Sequence, residues 1–383
     1  MNSISQRASS VVASPVFGGA IVLASLCVVG TLNTFAAEAA STNSPPLTLW
    51  DTTARATVGG GYRANILQSS IAPESSAFAS SSVELSLARI AENGSLFSLF
   101  VLGEDTRYAD APSVPGEQFF CGSARVLVPV GGQDRVGALA QYIYQHQIVD
   151  ASETEADLYR VLVQGHSANF RPDWRHSLSP AWYVQLDGLM IRQWYQSQLD
   201  NYWEGGGGLT LGHTYGRRSE LTLTYQSQHL FFDTRTPTDA TGAALLNAGL
   251  VYWQQETAGQ WRHYWDRARH WQSTVRAGFL ASCDNGAGYY DFNRVLLSSR
   301  LRWEPDRWQL SAGARLGWYH YPVQTIGDQL RARSYCTLDA RLERRVGKHG
   351  LIYAAAEKSW NRGNDPLDTY NDWMLSSGVG IEF

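Results

Sequence analysis

Along most of this chain the apolar positions recur at every second residue. In the final fourteen residues, YNDWMLSSGVGIEF, one phase holds Trp373, Leu375, Ser377, Val379, Ile381 and Phe383. The other phase holds Asp372, Met374, Ser376, Gly378, Gly380 and Glu382. A period of two with one greasy side is the mark of a half-apolar strand. The same alternation puts Trp308, Leu310, Ala312, Ala314, Leu316 and Trp318 opposite Gln309, Ser311, Gly313, Arg315 and Gly317. It recurs in RVLLSSRLRW, where Val295, Leu297, Ser299, Leu301 and Trp303 oppose Leu296, Ser298, Arg300 and Arg302. In LTLTYQSQH, Leu221, Leu223 and Tyr225 oppose Thr222, Thr224 and Gln226.

The breaks between these runs alternate in length. Short ones (ENGS, GGQD, GRRS, EPDR, GKHG) trade places with long polar ones, of which DTRTPTDATGAALLN, 233–247, is the longest. About sixteen strands are expected, at roughly 20 residues per strand and connection. Soluble sandwiches and propellers also contain many alternating strands. Here Trp and Tyr gather at strand ends, as at Trp182, Trp271, Trp303, Trp308 and Trp373, the way an interfacial girdle would. The faces opposite the apolar ones carry Arg, Asp and Glu at mid-strand, where a barrel has a wet lumen. No repeat of blade length appears, which argues against a propeller. The expectation is an all-β transmembrane antiparallel up-and-down barrel. An even strand count with every short turn on one side lets both chain ends lie in the periplasm.

The last strand resembles the C-terminal signature of Gram-negative outer-membrane β-barrel proteins, a terminal aromatic with apolar residues at alternate positions before it. The resemblance implies that Phe383, Ile381 and Val379 form an assembly signal read by the barrel-assembly machinery. It further implies a porin-like protein of the outer membrane in contact with its lipids. A strand can end the chain in this way if it pairs with the first strand, TTARATVGGGYRAN, and leaves no open edge.

Composition adds a leader. MNSISQRASS carries one positive charge, VFGGAIVLASLCVVGTL is an apolar core, and NTFAAEAAST offers small residues for cleavage after Ala36 or Ala39. Residues 1–39 are expected to be a signal peptide, 40–52 a short periplasmic linker and 53–383 the barrel. Charged residues make up 17% of the 383, the net charge is −4 and mean hydropathy is −0.26. That balance gives no electrostatic case for nucleic acid. Beyond the leader, Cys121, Cys283 and Cys336 are odd in number, and no Cys-x-x-Cys pair suggests a structural metal.

The candidate chemistry is a channel wall. Arg276, Arg300, Arg315 and Arg341 fall on four successive expected strands in the inward phase, with Arg302 and Arg345 nearby and Asp339 and Glu343 also inward. In a narrow passage this cationic excess favours anions among the small polar solutes expected to pass. The expected function is passive transport without a cofactor. The alternatives are export of an acidic polysaccharide, or a structural or adhesive barrel with a blocked lumen. An oligomer is compatible with either. The 233–247 loop either folds inward or stays solvated. VGGGYR and EGGGGLTLG continue as strands rather than opening a helix, so they are not phosphate loops. Ser227 and His229 share the outward face and are the best-placed nucleophile–base pair, while His166 and Ser167 point to opposite faces.

Overall fold

A computed structural model describes residues 50–150, 160–196, 200–216, 218–246 and 248–383. The expected leader and most of the linker, along with the DASETEAD connection, lie outside the described residues. Sixteen strands follow in sequence. They are β1 (Asp51–Arg63), β2 (Ser76–Ile90), β3 (Leu96–Tyr108), β4 (Gly116–Val130), β5 (Asp134–Asp150) and β6 (Arg160–Ser177). Next come β7 (Trp182–Tyr195), β8 (Tyr202–Tyr215), β9 (Ser219–Phe232), β10 (Val251–Tyr264) and β11 (Trp271–Asp284). The last five are β12 (Phe292–Trp303), β13 (Trp308–Ile326), β14 (Gln329–Val346), β15 (Gly350–Gly363) and β16 (Tyr370–Glu382). β1 opens at Asp51, two residues inside the expected linker.

Each strand pairs antiparallel with its sequence neighbours, and β1 pairs with β16 to close the barrel. The seam runs from Arg55↔Glu382 to Arg63↔Met374. Closure satisfies every edge, which is what permits a sheet to sit in hydrocarbon. Phe383 extends the seam by one exchange with Ala54, giving backbone bonds of 3.0 and 2.9 Å. The short connections are tight because glycine supplies a left-handed residue at Gly131 (φ 71) and Gly347 (φ 66).

The alternation sorts cleanly onto two sides. Val58, Val83, Leu209, Leu223, Phe279, Val295 and Val379 all face outward and are exposed. Such an apolar belt can be stable only against lipid. Aromatic rings edge it at both rims. Trp271 stacks against Trp303 with centroids 5.5 Å apart beside one short turn, and Tyr62 lies 5.4 Å from Trp373 at the opposite rim.

Inside, three tyrosines lie across glycines in direct register: Tyr183 on Gly212, Tyr335 on Gly317 and Tyr353 on Gly378. In each case the missing side chain makes room for the ring, so the ring covers backbone that glycine would leave bare. β13 and β14 continue into a long hairpin with an irregularity between His320 and Thr325. Arg331 anchors this hairpin through Asp368 (2.7 Å), in a 3-10 turn at Pro366–Asp368, both side chains being buried.

Candidate lumen and its charged wall

All seven residues expected to line a channel lie on inward positions. The register places Arg276, Ser298, Arg315, Thr337 and Ser359 side by side across β11 to β15. One step toward the periplasm, Arg300 sits opposite Gly313, which in turn faces Asp339. Gly313 has no side chain, so the Asp339 carboxylate lies over it and comes within 3.6 Å of the Arg300 guanidinium.

The arginines are more fully paired than their spacing in the sequence suggests. Glu256 on β10 takes both Arg276 at 2.6 Å and Arg294 at 3.5 Å. Glu343 takes Arg341 at 2.5 Å and also Arg55 on β1 at 2.6 Å. Arg302 reaches Glu304 in the β12–β13 turn at 2.5 Å, and Arg345 reaches Glu382 at 2.8 Å. Among the described residues, Arg315 has no carboxylate within 4.0 Å. Glu256, Arg294 and Arg55 were missed from the sequence. Their inward phase was legible, but the Glu256–Arg294 and Arg55–Glu343 pairs span two and three strands.

Exposure differs from one charged group to the next. The side chains of Arg300 and Arg341 are 49% and 41% exposed although they point into a closed barrel. The Glu343 side chain is 11% exposed and that of Glu256 18%. Arg300 and Arg341 therefore reach the open interior, as does Asp339 at 38%, whereas Arg55 and Arg294, at 18% and 11%, lie against the wall with the glutamates they meet. Arg341 also acts through space on Glu84 of β2 and Glu104 of β3.

A different interior lies along β3 to β5. Phe100, Cys121, Leu139 and Ile143 form a buried inward cluster, with Leu102 and Phe119 packed on it. This cluster occupies part of the interior on that side. At the outer mouth a second cluster of Ile66, Leu67, Ala111 and Val114 joins the connections after β1 and β3. The 233–247 loop packs sideways onto the β11–β12 connection, with Ala287 donating to the Thr238 carbonyl at 3.1 Å. Its Leu246 is exposed.

Ser227 and His229 do share the outward face, but both are drawn to Trp253. The Trp253 indole donates to Ser227 Oγ at 3.2 Å, and the His229 ring stacks on the same indole at 6.0 Å. His166 bonds Tyr142 on the outside. The three cysteines are free: Cys121 is buried in the lumen-side cluster and Cys283 is exposed. Among the described residues no group of three or more His, Cys, Asp or Glu side chains could hold a metal. Val379, Ile381 and Phe383 face outward on the closing strand.

An even number of antiparallel strands, full closure, an apolar belt between aromatic rims and a charged, solvent-open interior define a transmembrane β-barrel of the outer-membrane type. No family model matches this sequence, and no curated protein matches it. Solved structures resemble its shape. OccAB1 of Acinetobacter baumannii is 8% identical over 87% of this chain and 96% of its own, with a TM-score of 0.43. OprB of Pseudomonas putida is 10% identical over 87% and 94%, at 0.44. CdiB of Acinetobacter baumannii is 10% identical over 86% of this chain and 60% of its own, at 0.45. Likeness of that strength carries no functional information, and the class stands on the closure and on the two faces of the wall.

Proposed function

We propose that this barrel is a passive channel for small polar solutes across the outer membrane, with anions favoured over cations. The observation that supports it most directly is the exposure of Arg300 and Arg341 inside a closed wall. A charged group that open to solvent inside a barrel requires water in the lumen, and a watered lumen is a path.

The sign follows from the pairing. Four guanidiniums (Arg55, Arg276, Arg294 and Arg341) share two carboxylates, Glu256 and Glu343, and Arg315 has none within 4.0 Å among the described residues. In a narrow passage with low-dielectric walls this excess draws anions. Glu84, Glu104 and Glu357 on β2, β3 and β15 oppose it, so the preference is moderate rather than absolute. No cofactor enters this reading.

Planar-bilayer conductance with reversal potentials under a salt gradient tests both halves, using wild type and Arg300→Ser with Arg315→Ser. Anion preference that falls in the double variant supports the reading. Cation preference in wild type removes the arginine wall as a selectivity element. A silent wild-type barrel removes the channel and leaves a blocked structural or adhesive barrel. Conductance blocked by an acidic polysaccharide from one side only would favour polymer export.

A further inference from the structure

The outward surface near the outer rim carries a cationic patch that the lumen does not explain. Lys358 is one of two lysines in the chain. It faces outward on β15, in register with Leu338 on β14 and Trp373 on β16, both of which are exposed. It stands eight residues above Gly350, the first residue of β15. At about 3.3 Å per residue and a tilt near ~40°, that height is roughly 20 Å, close to the upper edge of an apolar band about 25 Å tall. Arg362 follows four residues further up the same outward face, and His320 on β13 is exposed nearby.

Charge neutralisation distinguishes this patch from the rest of the outer rim. Arg107 on β3 is held by Asp105 at 2.8 Å, and Arg192 on β7 is held by Asp233 at 2.5 Å. Neither Lys358 nor Arg362 has a carboxylate within 4.0 Å among the described residues. No outward position of β13, β14, β15, β16 or β1 is acidic. Aromatic rings flank the patch instead. The Lys358 ammonium is 5.5 Å from the centroid of Trp360, and Trp318 and Trp373 are exposed on either side. Tryptophans at headgroup level with bare cations between them are the surroundings that a lipid phosphate needs.

We propose that this patch docks a phosphate-bearing lipid of the external leaflet, with Lys358 and Arg362 each taking a phosphate. Their Cα atoms lie four residues apart on an extended strand, about 13 Å. That separation suits two phosphates on one headgroup better than a single shared one. The acyl chains would then lie along the exposed apolar belt of β14 to β16.

The test uses the purified full barrel in neutral detergent, with its unfolding midpoint read by tryptophan fluorescence. The probes are a bis-phosphorylated saccharolipid, the same lipid after removal of its phosphates, and inorganic phosphate. The phosphorylated lipid is expected to raise the wild-type midpoint at least twice as much as the dephosphorylated form, and inorganic phosphate to leave it unmoved. Lys358→Ala with Arg362→Ala should lose most of the phosphate-dependent rise, while Arg107→Ala keeps it. An equal response to both lipids, or a double variant that responds as wild type does, would overturn the site. So would inorganic phosphate reproducing the shift. If the double variant does not fold, the comparison of the two lipids on wild type decides alone.

Discussion

Replacing a single residue on β9 by lysine should cost stability on one face and little on the other. Leu223 faces outward between Leu211 and Gly259, and Thr222 faces inward between Gly212 and Gln260. Leu223 stands four residues above Ser219, the first residue of the strand. At about 3.3 Å per residue and ~40° of tilt, its Cα is roughly 10 Å above the rim, near the middle of an apolar band about 25 Å tall. A lysine facing lipid at the midplane costs about 2–4 kcal/mol. Gly259 alongside gives the chain some room to snorkel, so the lower half of that range is expected. About 2–3 kcal/mol is roughly a 30- to 150-fold change in the unfolding equilibrium. Thr222→Lys enters a wet lumen within reach of Glu220 and should stay within about 1 kcal/mol. Urea unfolding from lipid vesicles, followed by tryptophan fluorescence, measures both. If Thr222→Lys costs as much as Leu223→Lys, the inside and outside of this wall have been exchanged, and the arginine wall faces lipid.

Further outcomes follow from the same geometry. Deleting Phe383 removes two seam hydrogen bonds to Ala54, about 1–3 kcal/mol together, and should slow the appearance of the heat-modifiable form on gels. Gly212→Ala drives a methyl into the Tyr183 ring and should cost about 1–3 kcal/mol. Adding Tyr183→Ala should recover part of that, and strictly additive losses would show that the ring does not fill the glycine's space. Gly380→Ser, although inward, should be destabilising, because its Cβ would stand 2.6 Å from the Ala56 carbonyl oxygen and disturb the seam. Asp266, in the turn after β10, accepts backbone bonds from Trp271 and His270 that hold its carboxyl below the usual range. Its contribution is therefore present above the ordinary carboxylate value and fades as pH falls through the lowered one. Protection of the His270 and Trp271 amides, taken relative to their intrinsic exchange rates, should fall in acid for wild type, and Asp266→Asn should remove that dependence.

Strand number, faces and closure were legible because alternation is written locally, residue by residue, and a lipid exterior leaves it uninterrupted. Leu223 and Thr222 betray their faces with no knowledge of their neighbours. Pairing was not legible in the same way. Arg55 and Glu343 are 288 positions apart and meet because β1 closes on β16 at one particular stagger. Glu256 reaches Arg294 across an intervening strand for the same reason. Shear is a property of the closed sheet and leaves no mark on a single strand. The length of the β13–β14 hairpin was not legible either, because YPVQTIGDQ resumes pairing beyond an irregularity that alternation does not register.

The buried cluster of Phe100, Cys121, Leu139 and Ile143 uncouples the calibre of the passage from the number of staves in the cask. Strand count fixes the girth of the cylinder, yet here side chains on three neighbouring strands take up part of the space it encloses. Trimming Phe100 or Ile143 would widen the bore with no change of backbone, and bulkier residues at Ser123 or Gln141 would narrow it. A lineage carrying this wall could retune what passes by a few point changes on one side, leaving the lipid face, the seam and the route of assembly as they are.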